Sequence, residues 1–305
     1  MSVLAFEEEL DLVPHRTVMR EETVNYCVRS GPGLYLDVTA GWGGHSEAVL
    51  EKNPDARLIA FDRDPSAVAA ASETLARFGS RARVVHLSFS ELRQWLADEN
   101  VGPIAGLIAD LGVSSPQIDS AERGMSFRAE GPLDMRMDPT RGETALELIQ
   151  RVTQDELADI IFQFGDERRS RGIARRIKQA LAEQKLQTTL DLRRAVIQAV
   201  GPRRVGGIDP ATRTFQGLRI AVNEELKQIQ DLLELTSEIL EPGAVAAVIS
   251  FHSLEDRLAK RAFAKRDVWE RLNKKPLMAG AVEHEANPRS RSAKLRAARR
   301  LVDEG

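Results

Sequence analysis

The stretch Leu34-Tyr35-Leu36-Asp37-Val38-Thr39-Ala40-Gly41-Trp42-Gly43-Gly44-His45 decides the fold. A short β-prone run ends on an acid and passes straight into a glycine-rich loop. Ser46 to Glu51 then has helical composition and stops near Asn53-Pro54, and Arg57 to Phe61 is a second apolar strand ending at Asp62. Outward from this strand-loop-helix-strand unit the alternation continues. Pro65 to Phe78 is helical, Arg83 to Leu87 a strand, Ser90 to Ala97 helical, and Ile104 to Ala109 a strand ending at Asp110. Such alternation predicts a parallel sheet covered on both faces, an α/β architecture. After Asp110 the strand signal disappears for about a hundred residues, far more than a crossover needs, so an inserted, mainly helical domain is expected. Its predicted helices are Thr144–Arg151, Gln154–Phe164, Arg168–Gln184 and Thr189–Val200. The sheet pattern resumes with one long predicted helix over Phe215–Leu240, stopped by Glu241-Pro242-Gly243, then a strand at Ala244–Ser250 and a last one near Leu295–Val302.

Composition limits the function classes. With 305 residues and 42% hydrophobic residues the chain can bury a core, and a disordered or low-complexity protein is excluded. The single cysteine, Cys27, excludes an internal disulfide and any cysteine-rich zinc module, and favours a reducing, cytoplasmic compartment. Met1–Leu10 is acidic where a signal peptide would be basic, and no run approaches the ~20 apolar residues of a membrane span. The net charge of −3 conceals an uneven distribution. Residues 1–100 carry 10 Lys and Arg against 16 Asp and Glu, a net −6. Residues 165–204 carry 11 against 4, or +7, and residues 257–305 carry 14 against 6, or +8. Such blocks are more often solvated helix faces than binding sites, and they count as contacts for a polyanion only where another feature points to one.

A glycine-rich loop between strand and helix lets backbone N–H groups approach a ligand closely. The dinucleotide fingerprint would need a glycine at position 46, where Ser46 stands, and no Walker loop is present. Asp37, just before the loop, suits a ligand with a cationic head such as S-adenosylmethionine. Asp62, 21 residues after Gly41, is placed to accept hydrogen bonds from ribose hydroxyls, while Phe89 either stacks on adenine or packs in the core. Methylation of a pyrimidine C5 needs a cysteine nucleophile, and Cys27 lies upstream in a helix-like packing segment, so transfer to an exocyclic amine is favoured. Such transfer needs an acceptor that orients the amine and takes up developing charge, and Asp110 at the end of the fourth strand fills that role.

Seven blocks then match one family: Asp37-x-Thr-x-Gly-x-Gly-Gly-His45, the eight residues Asp110–Gln117, Glu122–Phe127, Gly131–Met137, Thr212–Ile220, Ser250–Arg257 and Asn287–Arg296. Across His15 to Arg296 the chain resembles the MraW family of 16S ribosomal RNA cytosine-N4 methyltransferases. The resemblance implies a Rossmann-like S-adenosylmethionine-dependent methyltransferase fold over residues 1–118 and 213–305, with the substrate-recognition insertion at 119–212. It implies 16S rRNA or the assembled small subunit as partner and leaves a homodimer open. It also implies cofactor contacts at Gly43, Gly44, His45, Asp62, Phe89, Asp110 and Gln117, beside the Asp37 already placed. Asp134 is expected to help Asp110 hold the N4 amine. Met125 and Gly217 depart from the family pattern, and Gly217 inside a helix should cost up to ~1 kcal/mol relative to Ala. His252, Glu255 and Asp256 lack the second histidine of a zinc-protease motif and are expected to form a surface network facing RNA or substrate, without metal. A DNA amino-methyltransferase and a non-catalytic RNA-binding protein are the alternatives; the former commonly carries an Asp-Pro-Pro-Tyr loop where this chain has Asp110-Leu-Gly-Val.

Overall fold

The computed structural model describes residues 17–202 and 209–302. The acidic start Met1–Leu10, His15, and Arg203 and Arg204 of the +7 segment lie outside the described residues. The first half runs α1 (Arg20–Cys27), β1 (Gly33–Asp37), α2 (Gly44–Lys52), β2 (Ala56–Asp62), α3 (Pro65–Leu75), β3 (Ala82–His86), α4 (Phe89–Asp98), β4 (Ile104–Asp110) and the short α5 (Ser115–Asp119). Then come α6 (Ala145–Arg151), α7 (Gln154–Gly165), α8 (Ser170–Ala182), α9 (Thr189–Val200), α10 (Thr212–Val222) and α11 (Glu225–Ile239). The chain closes with β5 (Leu240–Ser250), α12 (Ser253–Ala262), β6 (Trp269–Arg271), β7 (Leu277–Met278), α13 (Ala281–Ala286) and β8 (Lys294–Arg300).

The strands form one sheet in the order β3-β2-β1-β4-β5-β8-β6, with β7 also on β8. Strands β1 to β5 pair in parallel, and β8 runs antiparallel to β5 with Val245 opposite Arg299. Successive residues alternate between two cores: Leu36, Phe61, Leu107 and Val248 face the layer of α4, α11 and α12, while Tyr35, Ala60, Ile108 and Ile249 face that of α1, α2 and α3. Near-continuous apolar strands are what burial on both faces demands.

The inserted helices pack around a third core that includes Leu133, Met135, Ile161, Ile173 and Leu192. Thr144, Thr153 and Thr188 each cap a helix in a reciprocal capping box, which explains why these boundaries were readable. Ala211, Phe215 and Leu218 belong to this core too, so α10 packs with the insertion although it follows residue 212. The single helix expected over Phe215–Leu240 is two helices. Glu224 takes φ 48, and Asn223 is held by donating Nδ2 to the Met135 carbonyl (2.8 Å) while its Oδ1 accepts from Met137 N–H (2.7 Å). These tertiary bonds stabilise a break that the apolar spacing does not reveal. Gly217 is explained by close helix approach: a Cβ there would lie 3.1 Å from Gly165 N on α7. Strands β6 and β7 were not expected, being too short to give a periodic signal. Among the described residues no helix is long and apolar enough to cross a membrane.

Candidate active site

The loop after β1 straddles the place where strand order reverses. Val38 N–H still donates to Ile108 O of β4 (3.0 Å), but Ala40 N–H donates to Phe61 O of β2 (2.8 Å). A crevice opens at such a reversal, outside the carboxyl ends of the strands. Gly41 and Gly43 take φ values of 51° and 84°, the left-handed region that favours glycine. Gly43 precedes the first turn of α2 and, among the described residues, no side chain caps that turn, leaving its N–H groups for an anion. Gly44 has no room for a Cβ, which would fall 1.8 Å from Thr17 Oγ1.

The crevice holds a cavity of about 130 Å³ that opens to solvent, and six of the expected cofactor residues wall it: Gly44, His45, Asp62, Phe89, Asp110 and Gln117. Asp62 accepts Gly41 N–H at Oδ2 (2.8 Å) and Asp64 N–H at Oδ1 (2.9 Å), and each oxygen keeps a lone pair for a ligand. Burial pushes its carboxyl up to about 6, against these two bonds, which pull it down. Phe89 opens α4 behind the capping box of Ser88 and Glu91. Gln117 is fixed at both ends, accepting from Ser114 N–H (2.9 Å) and donating to Asp64 Oδ2 (2.7 Å). Asp110 N–H donates to Thr39 Oγ1 (2.6 Å), which orients the strand end. His45 is buried, and neither of its ring nitrogens has a hydrogen-bond partner among the described residues, nor has Asp110 Oδ1. Buried polar atoms without partners are costly in a finished core, so three at one spot in a cavity wall fit a polar ligand that supplies their bonds.

Three expectations are corrected in their geometry. Asp37 does not reach the cavity: it is fully buried beneath the loop, accepting Thr39 N–H (3.1 Å) and the Ser46 hydroxyl (2.7 Å), with its carboxyl raised chiefly by burial. Ser46, the residue that departs from the dinucleotide fingerprint, is therefore Asp37's tether. Asp134 is not among the wall residues; Arg136 grips it with Nε (2.8 Å) and Nη2 (2.7 Å) and holds its carboxyl below the usual range against burial. His252 and Glu255 are not a surface network. Glu255 is fully buried and accepts Phe251 N–H (2.8 Å), while His252 caps α12. Glu225, His252 and Glu255 offer ligand atoms within 4.8 Å of one another, but Arg219 already holds both oxygens of Glu225 (2.8 and 2.9 Å), placing a guanidinium where a metal's charge would go.

The sequence reading missed several wall residues, among them Thr17, Arg63, Glu225 and Arg289. Arg289 lies inside a block that had been noticed, Asn287–Arg296, but nothing in one sequence says that this distant segment folds back onto the loop of β1. A buried pair was also missed: Arg123, at the start of the insertion, reaches Asp64 Oδ2 (2.9 Å) and the carbonyl of Met137 (2.6 Å), tying the insertion to the end of β2.

Known proteins resemble this chain over most of its length. The family model described as MraW methylase family matches residues 12–301. Ribosomal RNA small subunit methyltransferase H of Sorangium cellulosum (strain So ce56) is 58% identical over 287 residues, covering 94% of this chain and 91% of that one. The proteins of the same name from Prochlorococcus marinus (strain MIT 9303) and Synechococcus sp. (strain CC9311) are 54% and 52% identical, covering 88% and 95% of this chain and 86% and 94% of theirs. With the match running from before the first described residue almost to the last, the chain belongs to the MraW methylase family.

Proposed function

We propose that this protein transfers the methyl group of S-adenosylmethionine to the N4 amine of a cytidine in the decoding region of 16S ribosomal RNA, either free or in the assembled small subunit. The observation that carries this reading is the group of three buried atoms without a hydrogen-bond partner among the described residues, His45 Nδ1, His45 Nε2 and Asp110 Oδ1, in the wall of the cavity at the strand-order reversal. The donor set fits the cofactor: a carboxylate with free lone pairs for ribose at Asp62, a ring at Phe89, uncapped N–H groups at α2 and an unsatisfied carboxylate oxygen at Asp110.

When bound, S-adenosylmethionine supplies an electrophilic methyl group. The protein's own task is alignment and exclusion of water. Cytosine N4 is a poor nucleophile because its lone pair is delocalised into the ring. Asp110 Oδ1 accepts a hydrogen bond from the amine, localises the lone pair, stabilises the positive charge that develops on nitrogen and takes up the proton that N4 loses. Cys27 supplies no nucleophile, being buried with its thiol directed to Val245 O (3.5 Å) and Leu107 O (3.7 Å). The decisive experiment is single-turnover transfer from labelled cofactor to methyl-deficient small subunits, beside naked 16S rRNA and DNA. Label at cytidine N4 of the RNA is the expected result; label on DNA alone, or none, overturns it.

A further inference from the structure

Arg289 stands in the wall of the cavity on a single turn over Pro288–Ser292. One edge of its guanidinium is set: Nη2 donates to both carboxylate oxygens of Asp119 at the end of α5 (2.7 and 2.8 Å). Its other terminal nitrogen, Nη1, is buried and has no hydrogen-bond partner among the described residues. A guanidinium keeps its charge and its five donors in a fixed plane, so a buried N–H edge without an acceptor calls for one from outside the chain.

The contact with Asp119 does not by itself explain the residue. Asp119 is 54% exposed, and ion pairs of that kind contribute little to stability. What the pair does is hold the planar fork in one orientation at the rim, where Trp42 is also half exposed. Arg63, also in the wall, donates from Nη1 to the carbonyl oxygen of Asn223 (3.1 Å); its Nε is likewise buried without a hydrogen-bond partner among the described residues, but Arg63 belongs to the acidic first hundred residues and not to the +8 segment. The wall's carboxylates at Asp62 and Asp110 disfavour an anion except beside Arg289 or at the first turn of α2.

Two oxyanions meet this description, the carboxylate of the cofactor's amino-acid tail and a phosphate of the entering RNA. The uncapped first turn of α2 offers the tail carboxylate its own N–H groups, whereas Arg289 belongs to the +8 segment of the chain. We propose that Arg289 binds, through its Nη1 edge, a backbone phosphate beside the target nucleotide, with Asp119 as the residue that positions the fork. This inference rests on the RNA-methylation reading above and names the contact that sets the substrate strand at the cavity.

The test measures binding without turnover. Retention of methyl-deficient 16S rRNA is followed across a salt series for the wild type, Arg289→Gln and Arg289→Lys, and affinity for S-adenosylhomocysteine is measured by calorimetry. Arg289→Gln is expected to weaken RNA binding about tenfold at low salt and to lower the log–log salt slope by about one, with cofactor affinity within about twofold. Arg289→Lys keeps the charge and is expected to keep the slope. An unchanged slope in Arg289→Gln overturns the proposal, as does a tenfold loss of cofactor affinity with RNA binding intact, which would assign the guanidinium to the tail carboxylate. A slope lowered equally in Arg289→Gln and Arg289→Lys, with both variants unfolding at the wild-type midpoint, overturns it too. Failure of the wild type to transfer methyl groups would refute the methylation reading alone, since the RNA slope is read independently of turnover.

Discussion

His45 Nε2 lies 3.6 Å from Asp110 Oδ2, so the imidazole in the first turn of α2 and the carboxylate at the end of β4 stand side by side in the cavity wall. Since Asp110 Oδ1 has no partner among the described residues, replacing that carboxylate by an amide removes little that the fold uses. Asp110→Asn is therefore expected to fold normally and to lower the single-turnover rate at saturating cofactor by about 10²–10⁴, the range of a lost acid–base group. A rate within tenfold of the wild type would remove Asp110 from the acceptor role.

Asp134→Asn separates the two acids that the sequence joined. Its carboxylate is held by Arg136 outside the cavity wall, so the variant loses charge-assisted bonds worth about 1–3 kcal/mol while the chemistry is untouched. The expected outcome is a lowered unfolding midpoint with a single-turnover rate within about threefold of the wild type. A hundredfold slower rate with normal stability would return Asp134 to the active site.

The contrast between these two residues shows what one sequence could reveal. Asp110 ends a strand, and strand ends in a doubly wound sheet point to the crevice by topology alone, so Asp62 and Asp110 were legible as soon as the alternation was read. Asp134 lies in a segment without periodicity, where only the packed structure shows that the neighbouring Arg136 neutralises it. Asp37 shows the limit from the other side: its position was right, but whether a strand-end carboxylate turns up to a ligand or down to Ser46 is decided by a tertiary contact. The break at Asn223 escaped for the same reason, because hydrogen bonds to Met135 and Met137 from another part of the chain outweigh local helix preference.

Cys27 gives a chemical check on the acceptor class. Burial pushes its thiol up to about 12, so the thiolate population at pH 8 is on the order of 10⁻⁴. Native protein is expected to resist iodoacetamide and to be alkylated only on unfolding, and Cys27→Ala to transfer methyl groups at the wild-type rate. Loss of transfer in a folded Cys27→Ala variant would reopen a covalent mechanism.

Gly44→Ala places a Cβ 1.8 Å from Thr17 Oγ1, and Thr17 itself walls the cavity. The threonine must move, and with it the edge of the binding site. Calorimetry with S-adenosylhomocysteine is expected to show at least about a tenfold loss of affinity, with most of it restored in Gly44→Ala/Thr17→Ala. If the double variant binds no better than the single one, the obstruction comes from the backbone of α2 instead.

Asp62 contributes a pH dependence that its own variant can isolate. Its carboxyl titrates near 6 in the folded protein and at about 3.8 by its ordinary value, so between those pH values the folded state binds the extra proton. Stability contributed by the protonated group is present below about 3.8 and is lost as pH rises through about 6, a difference on the order of 3 kcal/mol against the native protein at neutral pH. Asp62→Asn carries no such charge. The unfolding midpoint of the variant minus that of the wild type should therefore be more positive at pH 7.5 than at pH 4.5, both measured without cofactor. Cofactor binding should change in the opposite direction. The ionised carboxylate is the better acceptor for ribose hydroxyls, so wild-type affinity for S-adenosylhomocysteine falls as pH drops below about 6 while that of Asp62→Asn stays weak and flat. A wild-type affinity independent of pH between 5 and 8 would mean that Asp62 does not hold the ribose, and the adenosine end of the site would have to be sought elsewhere in the wall.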